Sequence, residues 1–399
     1  MNKIEVKNLT KVFSSHTSTE EAMRRLKQGQ DKTKILAETG STVGVNQVSF
    51  DVKEGELFVI MGLSGSGKST LIRLINRLIE PTTGEIYIDD ENIAQMDKNE
   101  LIMTRRKKLG MVFQNFALLP HRTVLSNVEY GLEIQGISKH SREKTAKRAL
   151  ETVGLSGYED SYPDQLSGGM KQRVGLARAL ANGSDILLMD EAFSALDPLI
   201  RSEMQDELIL LQSQLKKTVL FITHDLDEAL KLGDRIAIMK DGNLIQVGTP
   251  EEILTYPADD YVSAFIRDID RSKVLTAEHV MKKPDVITTW RDGARIAIKK
   301  MNDAGLSSIF VVDRERKLKG LLTIDSAIEA LNNNKWVEEM LIQHFHSTAP
   351  DTPLQDLIPV AAQTKYPIAV VENGQLKGII VRVTILAGLI RGNEGGNKQ

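Results

Sequence analysis

Residues 56–70 read ELFVIMGLSGSGKST. The apolar run Leu57–Met61 has the length of a buried strand and stops on a glycine. Behind the loop, Leu71, Leu74, Ile75 and Leu78 recur at helical spacing. A strand, a glycine-rich loop ending in Lys-Ser, and a helix together predict a phosphate cradle. Gly62, Gly65 and Gly67 free the backbone N–H groups to turn inward, with Ser64, Ser66 and Thr70 completing the wall. Lys68 supplies a compact cation for the β- and γ-phosphates of a nucleotide, and the Ser69 hydroxyl a hard oxygen for Mg²⁺. The helix start adds partial positive charge.

The acidic half of such a site lies in DILLMDE, residues 185–191. Asp190 closes a buried run and is placed to hold Mg²⁺, while Glu191 can orient and deprotonate a water. TVLFITH (218–224) reads as another buried strand, and DRIAIMKDGNLIQVG as a hairpin about Asp241-Gly242. Strands interleaved with helices imply an α/β fold with a mainly parallel sheet covered on both faces. One stretch stands apart: LSGGMKQR, residues 166–173, pairs glycines before a helix start, a second anion-gripping backbone in a chain that already has one.

The 399 residues, 41% hydrophobic and 26% charged, are enough for two or three domains. There are no cysteines, which excludes disulfides and thiolate metal sites. The first residues, MNKIEVKNLTKVF, alternate charged and apolar side chains and lack the core of a signal peptide. No apolar run approaches the ~18 residues of a membrane helix, so a soluble chain is expected, with any membrane role assigned to a partner. Residues 271–399 carry 18 Lys and Arg against 14 Asp and Glu, and the preceding residues 33 against 40. A domain boundary is expected at 268–275, where this balance and the pattern both change. Residues 16–44 read as an insertion with one short surface helix, Ala22, Met23 and Leu26 forming its apolar side. Beyond 270, IFVVDRERKLKGLLTIDSAIEAL and IAVVENGQLKGIIVRVTILAGL repeat one strand–turn–strand–helix unit.

GLSGSGKST, Gln114 in VFQNFALLPHRTV, LSGGMKQR, ILLMDE, SALD (194–197) and THD (223–225) follow the order found in ABC-transporter ATPase subunits, which residues 1–265 resemble. The resemblance implies a P-loop ATPase core spanning 1–268, with a helical subdomain at about 115–175 carrying the signature LSGG. It implies a head-to-tail homodimer, in which Ser167, Gly168 and Gly169 of one copy grip the γ-phosphate held by the other copy's Lys68. That explains the second cradle. It further implies catalytic roles for Glu191, His224 and Gln114, Mg²⁺ at Ser69, Gln114 and Asp190, Asp197 at the dimer centre, and Phe13 stacked on adenine.

The C-terminal repeat resembles paired CBS domains at 276–333 and 337–392, before a tail, 393–399, expected to be disordered. Thr323 and Asp325 match the family's sugar-contacting end, whereas Arg382 and Thr384 stand in the second unit, where a carboxylate is lost. The combination of ATPase, insertion and CBS pair is similar to the osmoprotectant importers of glycine betaine and proline betaine. This resemblance implies ATP hydrolysis coupled to two membrane-spanning permease subunits with a substrate-binding domain or protein, at the cytoplasmic face of the plasma membrane. It implies cyclic di-AMP or another adenine nucleotide at Tyr366, Ile379, Val381 and Arg382. The basic balance of the CBS module suggests contact with anionic lipid that weakens as salt rises. The alternatives are an importer ATPase for another small solute and a soluble, non-transport ABC ATPase. Nucleic-acid binding is not expected of an acidic ATPase half.

Overall fold

Strand β1 (Asn2–Phe13) and strand β2 (Thr42–Lys53) pair antiparallel, with Phe13 opposite Thr42. The inserted residues are therefore the tip of a long hairpin. This computed structural model describes residues 1–14, 16–267 and 270–390, so the expected disordered tail lies outside the described residues. The insertion holds two helices rather than one, α1 (His16–Lys27) and α2 (Lys32–Thr39), and its expected last residues, 42–44, belong to β2. Asp31 caps α2 by accepting from the Thr33 N–H at 2.7 Å, and Gly40 ends it in the left-handed region at φ 68°. Ala22, Met23 and Leu26 of α1 pack with Ile35 of α2 against Val12 and Val43.

β1 and β2 continue into an antiparallel sheet with β4 (Thr83–Ile88) and β5 (Glu91–Asn92). Beneath it lies a six-stranded sheet in the order β10-β9-β3-β8-β7-β6, where β3 is Leu57–Met61, β6 Leu109–Phe113, β7 Ile186–Asp190, β8 Thr218–Thr223, β9 Arg235–Lys240 and β10 Asn243–Gly248. All neighbours are parallel except β9 and β10, joined by the expected turn with Asp241 and Gly242 both at positive φ. Helix α3 (Lys68–Ile75) sits between the two sheets, with Leu71, Ile72, Leu74 and Ile75 fully buried. Phe50 and Phe58 stack across the same core at 5.2 Å. Leu78, expected on the helix face, lies past its end and is exposed, because the chain turns through a left-handed Arg77.

The helices Val124–Ile134, Lys139–Thr152 and Gly168–Ala181 form a helical block with a core of Val128, Ala146, Leu150 and Val174. The chain divides into two compact units, Met1–Ile266 and Arg267–Gln399. In the second unit each sequence repeat forms a three-stranded sheet with helices. One contains Ser308–Val312, Leu318–Thr323 and the helix Ile324–Asn332; the other contains Ile368–Glu372, Gln375–Ile380 and the helix Arg382–Ile390. Their leading segments are exchanged. Leu275, Ala277 and Val280 complete the core of the second half, while Val337 completes that of the first.

Candidate nucleotide site

Sheet order decides the site. The neighbouring strands β3, β8 and β7 deliver, at their C-terminal ends, the glycine loop, His224, and the Asp190-Glu191 pair. Adjacent strands are spaced by about 4.8 Å, so chemistry scattered over 160 residues converges on one edge, the usual ligand position in α/β sheets.

Three glycines shape the loop. A side chain on Gly62 would sit 2.3 Å from the Met239 carbonyl oxygen, and one on Gly67 2.4 Å from that of Gly44. Gly62, Gly65 and Gly67 have φ of 155°, 79° and 103°. Ser66 is buried, and its hydroxyl has no hydrogen-bond partner among the described residues. Lys68 is buried and donates to the carbonyls of Gly62 at 2.8 Å and Leu63 at 3.1 Å, and it stands 4.0 Å from Glu191. Burial pushes the Lys68 pKa down, opposed by the Glu191 and Asp190 carboxylates. The Ser69 hydroxyl donates to Asp190 Oδ1 at 3.1 Å. Burial raises the Asp190 pKa, opposed by Ser69 and Arg73. A hydroxyl and a buried carboxylate joined in this way are the hard-oxygen donors Mg²⁺ takes, so the residues fit the ion.

Glu191 occupies the left-handed region at φ 45°, uncommon for a residue with a side chain. This turn brings its carboxylate 3.2 Å from His224 Nδ1. Gln114, at the end of β6, donates to Ser194 Oγ at 3.0 Å, and Ser194 donates to the Glu191 carbonyl at 2.9 Å. Among the described residues no hydrogen bond joins Gln114 to Ser69 or Asp190; its amide reaches the Glu191 turn instead.

The loop opens on a cleft of about 460 Å³ that also contains Ser64, Thr70 and Glu191. Phe13 lines it, 40% exposed, with its ring against Gly44, where an added Cβ would lie 2.8 Å from the ring. Lys32, Thr33 and Leu36 of α2 line it as well. The sequence pattern alone assigns the insertion no role. The signals present in it were the Asp31 and Gly40 caps around KILAET, which bound a second helix.

Ser167 is exposed and caps the helix Gly168–Ala181, accepting from the Met170 N–H at 3.3 Å. Gly169 lies against Ile200, where a Cβ would come to 2.6 Å. Ser167, Gly168 and Gly169 do not line the cleft of their own chain. Asp197 is exposed at the start of the helix Pro198–Leu215, and among the described residues its side chain makes no capping bond.

In the second unit, Tyr366, Val381 and Arg382 line a cleft of about 550 Å³ between the repeats, together with Gly305–Ser308. Ile379 does not line it; this side chain packs against the cluster around Phe310, on the opposite face of its strand. Arg382 donates to the carbonyls of Ala361, Ala362 and Thr364, closing the end of the helix Leu354–Gln363. Thr323 caps its own helix through the Ser326 N–H.

Residues 45–194 match the family model described as ABC transporter, and residues 277–333 the one described as CBS domain. The chain is 56% identical to the glycine betaine/carnitine transport ATP-binding protein of Listeria monocytogenes, over 99% of both chains. It is 53% identical to the glycine betaine transport ATP-binding protein of Bacillus subtilis, over 100% of this chain and 94% of that one. The glycine betaine/proline betaine transport system ATP-binding protein of Escherichia coli is 49% identical, over 99% of both. Among solved structures, the ATP-binding cassette MJ0796, in a dimeric post-hydrolysis state bound to ADP and Pi, matches 62% of this chain and 98% of its own at 36% identity and a TM-score of 0.52.

Proposed function

The chain belongs to the ABC transporter family as an ATP-binding ATPase subunit that uses ATP and Mg²⁺, and from that premise we propose that it powers the import of a quaternary-amine osmoprotectant of the glycine betaine type. The carrying observation is identity of 49–56% across the whole length, second unit included, to subunits named for glycine betaine transport. In this reading the chain acts at the cytoplasmic face of the membrane through separate permease subunits. No helix among the described residues is long and apolar enough to cross a membrane.

The division of labour follows the geometry. Bound Mg²⁺ would be held by Ser69 and Asp190 and would neutralise phosphate charge. Lys68 exchanges the loop carbonyls for phosphate oxygens. Glu191, 3.2 Å from His224 Nδ1, accepts the proton of the attacking water, and His224 keeps the carboxylate aimed. Ser167 and Gly168, exposed at the helix start and outside their own cleft, support closure by the partner subunit's Ser167 over the γ-phosphate. Asp197 then lies at the junction of the two copies, and Gln114 relays nucleotide state from the Glu191 turn to the permease.

The second unit is read as a CBS pair, at 276–333 and 337–392, that regulates the ATPase unit. The cleft at Tyr366, Val381 and Arg382 supports an adenine nucleotide such as cyclic di-AMP. Exposed Trp290 and Trp336, beside Arg291, Arg295 and Lys335, support contact with an anionic membrane surface.

The test is reconstitution with the permease in vesicles holding ATP. Uptake of labelled glycine betaine is expected, and Lys68→Ala abolishes it. ATP-driven uptake of a different solute with none of betaine would move the subunit to another substrate.

A further inference from the structure

The insertion between β1 and β2 is fastened with care and placed against the nucleotide cleft, yet the family chemistry gives it nothing to do. On α2, Ile35 is fully buried in the small core with Val12, Ala22 and Val43. Its neighbour Leu36 is 47% exposed and lines the cleft. An apolar side chain held at the mouth of a phosphate site, on a helix whose core position is filled by the residue beside it, is spare hydrophobic surface aimed at a ligand. Among the described residues, Phe13 is the only other large apolar side chain that reaches the same cleft without being buried.

The helix cannot drift from this position cheaply. Lys32 at its start pairs with Asp241 at 2.5 Å, in the β9–β10 turn. The next residue, Gly242, accepts at its carbonyl from the Asn46 N–H at 2.8 Å and donates its own N–H to Ser66 of the phosphate loop at 2.9 Å. At the far end, Glu38 takes an ion pair from Arg25 of α1, and Arg25 also holds Glu21 at 2.6 Å. α2 is thus tied to the loop that grips phosphate and to the hairpin that carries Phe13.

We propose that α2 is the second wall of the base site, with Leu36 covering one face of a purine ring while Phe13 covers the other. The proposal rests on the ATP-site reading above and deepens it. The phosphates fix one end of the ligand, and an apolar sandwich at the other end rewards a flat, extended base over a bare phosphate chain.

The test uses the full-length subunit, comparing ATP, ADP and inorganic triphosphate as ligands. Leu36→Ala is expected to raise KM for ATP and Kd for ADP about tenfold, as a leucine's lost methylenes leave a half-covered ring face wet. The kcat and the affinity for inorganic triphosphate stay as in the parent. Leu36→Met restores ATP affinity. Lys32→Ala, which frees the helix start without touching the core, reproduces a smaller rise confined to ligands that carry a base. An unchanged KM in Leu36→Ala overturns the proposal, and so does equal weakening of ATP and inorganic triphosphate, which would place the effect on the phosphate loop. Absence of any ATP binding that Lys68→Ala removes would instead overturn the ATP-site reading itself.

Discussion

Replacing Glu191 by glutamine separates binding from chemistry at this site. The amide keeps the length and shape of the carboxylate, and glutamine tolerates the φ of 45° no worse than glutamate does. Its oxygen still faces His224 Nδ1, now 3.2 Å from Oε2, so the turn that carries Ser194 and Gln114 keeps its bonds. Two things change. The site loses its proton acceptor, worth roughly 10²–10⁴ in rate for general base catalysis. Lys68 also loses an anionic neighbour at 4.0 Å, which leaves the ammonium freer to serve phosphate. The expected outcome is turnover lower by roughly a thousandfold, ATP affinity equal or higher, and a dimer that persists while ATP is present. Phosphate release under saturating ATP measures the first, and size-exclusion chromatography with and without ATP the last. Turnover within about tenfold of the parent, less than the smallest effect expected of a lost general base, would refute the assignment of Glu191. A lone copy that hydrolyses ATP at full rate would refute the shared site.

Gly44→Ala places a methyl 2.8 Å from the Phe13 ring and 3.3 Å from Thr70, so the ring must leave the cleft wall; KM for ATP is expected to rise several-fold with kcat held, as steady-state assays would read. Glu228 is buried, and burial raises its pKa above the ordinary 4.5 while it accepts from Gln205 at 3.0 Å. A carboxyl raised in this way favours folding at low pH and loses that contribution as pH rises through its folded pKa. Glu228→Gln is therefore expected to raise the Tm at pH 8 and to change it little at pH 4.5, and an equal shift at both would show that charge burial is not the cause. Tyr366→Ala removes a wall of the cleft between the repeats and is expected to weaken cyclic di-AMP about tenfold, the loss of one stacked base, with basal ATPase activity intact; calorimetry with an unchanged Kd would clear Tyr366 of the role.

The parts of the site that belong to one local pattern were legible in the sequence. A strand, a glycine loop and a helix start are contiguous, so ELFVIMGLSGSGKST announces its own geometry, and β3 and α3 follow it with Leu78 as the one overreach. Leu78 fits the helical spacing, but spacing carries no information about the left-handed Arg77 that ends the helix first. Asp190 was legible because it closes a run of five buried residues. The insertion was not. α2 has eight residues, below the length at which periodicity alone speaks, and its cleft-facing residue Leu36 reads like any apolar position on a short helix. What makes Leu36 a wall is the pairing of Phe13 with Thr42, which depends on where the two ends of a long excursion meet. Ile379 illustrates the same limit at single-residue scale. Ile379 and Val381, both expected at the site, would share a face under strict alternation, but the strand Gln375–Ile380 ends before Val381, so Val381 lines the cleft beside Ile380 while Ile379 keeps to the face packed on Phe310.

Hydrolysis and transport require that loss of a phosphate be felt outside the cleft, and the chain's hydrogen bonds outline one route. Gln114 holds Ser194, which holds the carbonyl of Glu191, so the end of β6 is bonded to the turn that carries Glu191. Two and three residues beyond Gln114, Phe116 and Ala117 are both at positive φ, at 58° and 47°, a costly conformation for side-chain-bearing residues. Arg178 holds them there, donating to the Ala117 carbonyl at 2.6 Å and the Phe116 carbonyl at 3.1 Å. Arg178 belongs to the helix Gly168–Ala181 that Ser167 caps, the helix proposed to close over the partner's phosphate. A rigid helix of 14 residues thus joins the signature end to a strained loop, and that loop joins the Glu191 turn. Strain of this kind persists only while the surrounding bonds over-determine it. Under the shared-site reading, any shift of this helix either carries residues 114–117 with it or breaks two carbonyl contacts to a half-buried guanidinium.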